Sequence, residues 1–215
     1  MKIITIIGAR PQFIKAAVVS KQLKIKGIQE ILIHTGQHFD QNMSEIFFDE
    51  MGIPRPDYNL SIHGLSHGAM TGRMLEGIED ILLKEKPDYV MVYGDTNSTL
   101  AGALAAVKIH IPVIHIEAGL RSFNMRMPEE VNRILTDRIS SILFCPTDTA
   151  MHNLDQEGFE NNKVKIVNSG DVMEDSALFF NKVAVGKSEI LKTLGIAENE
   201  YVLATIHRQE NTDDE

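Results

Sequence analysis

Short apolar runs alternate with longer amphipathic segments along most of the chain. The strand-like runs occupy residues 3–7, 30–34, 89–93, 113–116, 142–144, 164–167 and 201–206. Most of these runs are rich in β-branched residues and almost continuously apolar, which is typical of strands buried on both faces of a parallel sheet. Between them, apolar residues recur at helical spacing over residues 13–26, 66–86, 98–110, 128–140 and 148–157.

This alternation predicts an α/β fold, a doubly wound parallel sheet of the Rossmann-like type with right-handed crossovers, over residues 1–171. After Asp171 the pattern changes to a helix over 172–182, a loop over 183–187, a short helix over 188–195 and the last strand-like run. A single strand cannot bury itself, so residues 172–215 are expected to be a linker helix and the first elements of a second, incomplete α/β domain. Two complete domains would need roughly 300 residues.

Composition and charge exclude several classes of protein. The chain has 215 residues, with 21 Lys and Arg against 30 Asp and Glu, which gives a net charge of −9. That balance argues against a general nucleic-acid binder. Cys145 is the single cysteine, so the chain cannot form a disulfide scaffold. The apolar run at residues 3–7 is too short for a signal peptide or a spanning helix, and we expect a soluble cytoplasmic protein without a membrane partner.

The unusual polar residues follow the strand-like runs, where ligands bind in open α/β sheets. The first loop holds Gly8 and Arg10, and Lys15 lies one turn into the next helix. A tight turn, a helix N-terminus and two cations suit a phosphate or pyrophosphate, although the same features fit a plain surface turn because no dinucleotide fingerprint is present. The later loops carry Gln37 and His38, then residues 94–99, then residues 117–122.

Three acidic residues are candidates for acid and base chemistry. Glu117 directly follows an apolar strand, where a carboxylate costs several kcal/mol unless it is paired or hydrogen-bonded. Asp95 could instead be an N-cap, and Glu129 with its neighbour Glu130 could simply stabilise the N-terminus of the helix that Pro128 begins. Carboxylates that share a cleft would have different pKa values and could act as an acid and a base.

The histidines divide into core and candidate ligand positions. His34 and His115 lie within strands and are expected to be hydrogen-bonded core residues. His63 and His67 have helical spacing but lack a carboxylate at metal-ligand spacing, so no metal site is predicted. His207 ends the last strand-like run beside Arg208 and could face a phosphate.

Several long motifs together resemble the non-hydrolysing UDP-N-acetylglucosamine 2-epimerases. They are GARPQFIKAAVVS, HTGQHFD, YGDTNSTLAGALAA, HIEAGLRSFNMRMPEEVNRILTD, LFCPT and HRQENTDD. The resemblance runs from Lys2 to the last residue. The variant strings GARPQF, TGQHFDQNMSEIFF, MTGRML and RSFNMRMPEE are most similar to a branch that acts on UDP-2,3-diacetamido-2,3-dideoxy-glucuronic acid for bacterial surface polysaccharide.

The resemblance implies a two-domain architecture of the glycosyltransferase-B type, with the nucleotide sugar between the domains. It also implies a reaction without an added cofactor, in which UDP leaves C1 as C2 is deprotonated and then returns after the opposite face of C2 is protonated. The residues that match the family's catalytic positions are Asp95, Glu117, Glu129 and His207. Those that match positions for substrate or effector contact are Arg10, Lys15, Gln37 and His38.

The resemblance further implies a UDP-sugar as the partner molecule and a homodimer as the assembly. Because the family's second domain supplies most nucleotide contacts, we expect these 215 residues to be inactive by themselves. Two other functions stay open from the sequence. One is a glycosyltransferase of the same architecture, and the other is a non-catalytic nucleotide-sugar-binding subunit.

Overall fold

A parallel sheet forms the centre of the computed structural model, which describes residues 1–38, 51–159 and 163–204. Its seven strands are β1 (Lys2–Ile7), β2 (Gln29–His34), β3 (Tyr58–Asn59), β4 (Tyr89–Tyr93), β5 (Val113–Ile116), β6 (Ile142–Cys145) and β7 (Lys165–Asn168). The strand order is β3-β2-β1-β4-β5-β6-β7, and every pair is parallel. This is the doubly wound order, with its topological switch point between β1 and β4.

Helices connect the strands as the amphipathic segments predict. They are α1 (Arg10–Ile25), α2 (His67–Glu85), α3 (Asn97–Lys108), α4 (Pro128–Ile139), α5 (Asp148–Gln156), α6 (Val172–Val185) and α7 (Ile190–Leu194). The central strands are buried on both faces, and Ile4, Ile6, Val90 and Val92 pack with α2 and α3 in the main apolar core. The prediction of a doubly wound α/β fold is therefore confirmed.

Most predicted bounds agree with the structure to within two residues, but two differ by three residues, and one strand was not predicted. Helix α1 begins at Arg10 and not at Phe13, because Pro11 fits the first turn of a helix, where its missing N–H costs nothing. The predicted loop over 183–187 is in part helix, since α6 continues to Val185. The edge strand β3 was not predicted, because two residues carry no detectable periodicity.

The strand predicted over residues 201–206 does not form in its described part. Residues 201–204 have no regular structure, and the side chains of Val202 and Leu203 are 94% and 86% exposed. None of the described strands pairs with this segment, and an unpaired strand leaves its backbone N–H and C=O groups unsatisfied. Residues 205 and 206 lie outside the described residues.

The chain divides into two units, Met1–Phe179 and Phe180–Glu215. The first contains the whole sheet. In the second unit, helix α7 exposes Ile190 and Leu194. The expectation that residues 1–171 form one domain and 172–215 begin another stays a prediction. Over the three described ranges, no helix is both long enough and apolar enough to cross a membrane.

Candidate active site

The loop after β1 is held against the loop after β4 by the side chain of Gln12. Its Oε1 accepts hydrogen bonds from the N–H groups of Gly8 and Ala9, at 2.8 and 3.0 Å. Its Nε2 donates to the carbonyl oxygen of Tyr93 at 2.9 Å and to Oγ1 of Thr99 at 3.0 Å. Gln12 is buried, so one amide fixes both sides of the switch point.

Gly8 is glycine because two hydroxyl groups occupy the space of a side chain. A Cβ there would lie 2.0 Å from Oγ1 of Thr35 and 2.2 Å from Oγ of Ser98, and these two oxygens are themselves 2.8 Å apart. The close approach brings the loops after β1, β2 and β4 together. This explains why the unusual residues after these three strands cluster in space.

Lys15 and Glu117 form a partly buried ion pair across the end of β4. Their side chains are 6% and 22% exposed, and Lys15 Nζ bonds to Glu117 Oε2. The pair lies over Gly94, where an added Cβ would be 3.0 Å from Glu117 Oε2 and 3.6 Å from Lys15 Nζ. The ion pair supplies the partner that a carboxylate at the end of an apolar strand needs.

Glu117 also has an unusual backbone conformation. Its φ is +72°, in the left-handed region that costs a non-glycine residue about 1–2 kcal/mol. The N–H groups of Glu117 and Ala118 both donate to the carbonyl oxygen of Phe144 on β6, which holds the turn in place. Such conformations concentrate at functional sites, where the surrounding structure maintains them.

Asp95 follows Gly94 and forms an ion pair with Arg133 of α4. Thr96 is the N-cap of α3, with its side chain accepting a hydrogen bond from the N–H of Thr99, so Asp95 is not the cap. Asn132 Nδ2 donates to the Asp95 carbonyl oxygen at 2.9 Å. Tyr93 and Ile116 are paired in the β4–β5 register, so Asp95 and Glu117 leave the same edge of the sheet from adjacent strands.

The two glutamates at the start of α4 have different environments. Glu130 is 1% exposed, and its carboxylate accepts hydrogen bonds from the N–H groups of Ser122 and Phe123 at 2.8–3.0 Å. Burial opposes ionisation, but these N–H groups and Arg133 hold the pKa of Glu130 below its usual value. Glu129 is exposed in the first turn of the helix, which leaves its carboxylate accessible to a ligand.

The other predicted contact residues surround the first loop. Arg10 begins α1 and is exposed, and its backbone N–H donates to Nδ1 of His38 at 3.0 Å. The backbone N–H of His38 donates to the carbonyl oxygen of Gly8 at 2.7 Å. Gln37 Oε1 accepts from Oγ of Ser98 at 2.9 Å. His207 lies outside the described residues.

A buried network lies beneath Gly94. His115 is fully buried, with Nδ1 2.7 Å from Asp137 Oδ1 and Nε2 2.7 Å from the Gly94 carbonyl oxygen. Arg121 bonds to Asp137 at 2.8 Å and to Glu157 at 2.6 Å. Burial opposes ionisation of Asp137, but His115 and Arg121 hold its pKa below the usual value. The expectation that His115 is a hydrogen-bonded core residue is confirmed.

The structure adds residues that the sequence did not single out. They are Gln12, Asn132, Arg133 and Asp137. For Arg133, a signal was present, because it lies four residues after Glu129 on the same face of α4. The others bond to groups far away in the chain, which spacing cannot reveal. Within the described ranges, no three His, Cys, Asp or Glu side chains are arranged to hold a metal ion.

Comparison with known proteins identifies the family. The sequence model of the UDP-N-acetylglucosamine 2-epimerase family matches residues 21–215. The chain belongs to this family. A Pseudomonas aeruginosa protein named UDP-2,3-diacetamido-2,3-dideoxy-D-glucuronate 2-epimerase is 66% identical over 100% of this chain and 59% of its own length. The UDP-N-acetylglucosamine 2-epimerase of Methanocaldococcus jannaschii is 48% identical over 99% of this chain and 58% of its own length.

Solved structures agree with this membership. The Methanocaldococcus jannaschii UDP-GlcNAc 2-epimerase in complex with UDP-GlcNAc and UDP has a TM-score of 0.85 at 50% identity, covering 90% of this chain and 53% of its own. Acinetobacter baumannii MurG, at 17% identity and a TM-score of 0.51, shares the fold alone. The chain spans between 53% and 59% of the length of the epimerase relatives described above. The predicted family resemblance is confirmed.

Proposed function

We propose that this chain forms the catalytic part of a UDP-sugar 2-epimerase, which inverts C2 of a UDP-2-acetamido sugar. In this reaction a carboxylate removes the C2 proton, and the C1–O bond breaks so that UDP leaves with its electron pair. The product of this step is a 2-acetamidoglucal. UDP then adds back to C1 while an acid delivers a proton to the opposite face of C2, so no oxidant, reductant or cofactor is consumed.

The observation that carries the proposal is the placement of Glu117 and Asp95 at one sheet edge in a chain of the epimerase family. Glu117 faces Lys15 across Gly94, and Asp95 faces Arg133. Each carboxylate therefore has a cation beside it, and each cation could instead meet the negative charge that develops on a departing diphosphate. We further propose that Asp95, Glu117 and Glu129 are the acid and base groups and that His207 stabilises the UDP portion.

The residues proposed to contact the substrate are assigned from their positions around the first loop. Arg10 is exposed at the first residue of α1, and the positive end of that helix dipole suits a phosphate. Lys15 lies one turn further, beside Glu117. Gln37 and His38 flank the same loop through Ser98 and Gly8, where a second substrate molecule could bind as an effector.

Between two candidate sugars, similarity favours UDP-2,3-diacetamido-2,3-dideoxy-glucuronate over UDP-N-acetylglucosamine. The Pseudomonas aeruginosa protein named for the first is 66% identical. Two Methanococcus maripaludis proteins, one named as a homologue of the UDP-N-acetylglucosamine enzyme and one as that enzyme, are 59% and 51% identical. Either substrate has an acetamido group at C2 together with the C2 proton that the elimination removes. A homodimer, a cytoplasmic location and a role in lipopolysaccharide or other surface polysaccharide stay predictions.

The test uses a completed enzyme, meaning these 215 residues continued by the C-terminal part of the Pseudomonas aeruginosa relative. Incubation with each UDP-sugar in D₂O should place deuterium at C2, which mass spectrometry and NMR detect. A glycosyltransferase would instead release UDP only with an acceptor, and a binding subunit would release none. If the completed enzyme bound the UDP-sugar and left C2 unlabelled, the proposal would be wrong.

Variants of the completed enzyme test the roles of the carboxylates. Asp95→Asn and Glu117→Gln should each lose turnover by roughly a hundredfold or more while UDP affinity stays near that of the parent. Isothermal titration with UDP measures the affinity. Retained turnover in both variants would refute the assignment of acid and base.

A further inference from the structure

His115 makes two hydrogen bonds whose partners are both acceptors. A backbone carbonyl oxygen has no proton to give, so the Gly94 carbonyl can only accept from Nε2. Asp137 Oδ1 faces Nδ1, while Asp137 Oδ2 accepts from Arg121 Nη1 at 2.8 Å and from the Gly119 N–H at 3.1 Å. These donors stabilise the ionised form of the Asp137 carboxylate.

A neutral imidazole cannot satisfy both partners. It carries one N–H, so either tautomer would point a bare nitrogen lone pair at an acceptor oxygen 2.7 Å away. His115 is fully buried, so no solvent can relieve that repulsion. The doubly protonated ring donates to both oxygens at once.

We infer that His115 is a buried imidazolium and a positioning residue for the proposed reaction, because it fixes the Gly94 peptide between the two candidate catalytic carboxylates. This role rests on the proposed function. The charge state itself does not.

The Gly94 peptide is a suitable point of control. Gly94 adopts a left-handed conformation with φ +61°, and its N–H donates to the Ile116 carbonyl oxygen at 2.9 Å. With its own carbonyl oxygen held by His115, the peptide plane that leads into Asp95 has a single orientation. The Lys15–Glu117 pair lies beside the position that a Cβ of the same glycine would occupy, so a rotation of this peptide would displace both carboxylates.

Charged and titratable groups surround the ring on several elements. Asp137 faces it from α4, and Arg121 lies behind Asp137 in the loop after β5. Glu157 at the end of α5 pairs with Arg121. On β6, burial and the Asp137 charge raise the pKa of Cys145 to about 12, so the thiol stays neutral. The Lys15–Glu117 pair lies close to Gly94, whose carbonyl oxygen contacts the ring.

NMR of the 215-residue chain with ¹⁵N-labelled histidine tests the charge. Near neutral pH, both ring nitrogens of His115 should resonate as protonated nitrogens, each with an attached proton. His34 is the control in the same spectrum, because burial lowers its pKa to about 4 and its ring is neutral. Ring-to-backbone correlations assign both residues without a variant. A bare nitrogen on His115 would overturn the inference.

Kinetics of the completed enzyme test the positioning role. His115→Gln keeps one donor and loses the charge, and Asp137→Asn keeps the shape while it removes the anion. Both should lower kcat by roughly tenfold to a hundredfold with little change in KM, since misplaced groups slow the chemical step more than they weaken binding. The matched control is His34→Gln, a buried strand histidine on β2, which should keep kcat near that of the parent.

The outcomes separate the two proposals. If His115→Gln and Asp137→Asn keep the parent kcat, the positioning role is wrong while epimerisation stands. If the unaltered completed enzyme leaves C2 unlabelled in D₂O, the proposed function fails, and the NMR spectrum still decides whether the ring is charged. A variant that does not fold leaves the spectrum of the parent chain as the deciding measurement.

Discussion

Gly94 combines two constraints, whereas most of the other left-handed glycines that the structure describes have only the first. Its φ of +61° disfavours any side chain, and the space where a Cβ would project is filled by the Lys15–Glu117 ion pair. Gly27 has nearly the same conformation, with φ +68°, but no atom lies within 4 Å of its Cβ position. Comparing substitutions at the two glycines therefore distinguishes the effect of backbone strain from the effect of contact with the Lys15–Glu117 pair.

We predict that Gly94→Ala and Gly27→Ala each lower the free energy of unfolding by about 1–2 kcal/mol, because both place alanine in a left-handed conformation. Gly94→Ala should in addition lose epimerisation in the completed enzyme, since the methyl group pushes Glu117 away from Lys15. Urea unfolding and the deuterium assay measure the two effects. Equal activity of the two variants would contradict the importance of this contact.

His34 should make the fold sensitive to mild acid. Burial lowers its pKa from 6.5 to about 4, and its ring stacks on Phe13 at 5.2 Å between centroids. Between these two pKa values the unfolded chain binds a proton that the folded chain does not, so stability falls as the pH falls from 6.5 towards 4. The full effect is about 3 kcal/mol.

Urea unfolding of the parent and of His34→Gln at a series of pH values checks this expectation. The variant cannot titrate at residue 34, so its stability should fall less steeply across the same interval. Parallel curves for the two proteins would show that His34 does not contribute to the acid sensitivity.

A candidate site residue could be predicted from the sequence where its residue type was unusual for its position in the predicted fold. Glu117 stood out because a carboxylate at the end of an apolar strand needs a partner, and the structure supplies Lys15. Gln12 broke no rule, and its partner Tyr93 lies 81 residues away in the chain. Such a role depends on which loops the fold brings together, and a single sequence does not contain that information.

Helix α4 presents its two first-turn glutamates to different surroundings, and this difference is testable. Glu130 anchors the loop after β5 through the N–H groups of Ser122 and Phe123, and Phe123 itself has a strained φ of +58°. We predict that Glu130→Gln costs about 1.5–3 kcal/mol of stability, the range for hydrogen bonds to a charged group. Glu129→Gln should leave stability unchanged because the side chain is exposed.

Glu129→Gln should affect activity, although it should leave stability unchanged. In the completed enzyme, Glu129→Gln should lower kcat without lowering the melting temperature, as expected of an acid or base. Thermal unfolding and the deuterium assay on the two single variants provide the comparison. If Glu129→Gln were fully active, the family-based assignment of this residue would be wrong.

The elements themselves were largely predictable, and the exceptions have physical reasons. Strands β4 and β5 were predicted to the residue, because continuous apolar runs bounded by polar turns mark buried parallel strands. Residues 201–204 have the same apolar character but form no strand. A strand forms only beside a partner, and local pattern does not say whether a partner exists.

The share of its relatives' length that the chain covers leads to a prediction for the whole molecule. The chain covers 59% of the Pseudomonas aeruginosa relative, and the remaining part of that protein has no counterpart in these 215 residues. We predict that the 215-residue chain incorporates deuterium at C2 far more slowly than the completed enzyme, because the two-domain architecture that the resemblance implies binds the nucleotide between two domains. The deuterium assay at matched protein concentrations checks this, and equal rates would contradict it.

The hydrogen bonds of Gln12 determine how far the loops after β1 and β4 can move apart. The carbonyl oxygen of its side-chain amide accepts hydrogen bonds from the loop after β1. The NH₂ group of the same amide donates two hydrogen bonds to residues at and after the end of β4. Conversion of Gln12 to glutamate, by substitution or by hydrolytic deamidation, replaces the NH₂ group with oxygen, so that two acceptors face each other at the Tyr93 carbonyl oxygen. This substitution of one atomic group, with no change in size, would therefore separate the loops after β1 and β4, although the strands themselves stay in register.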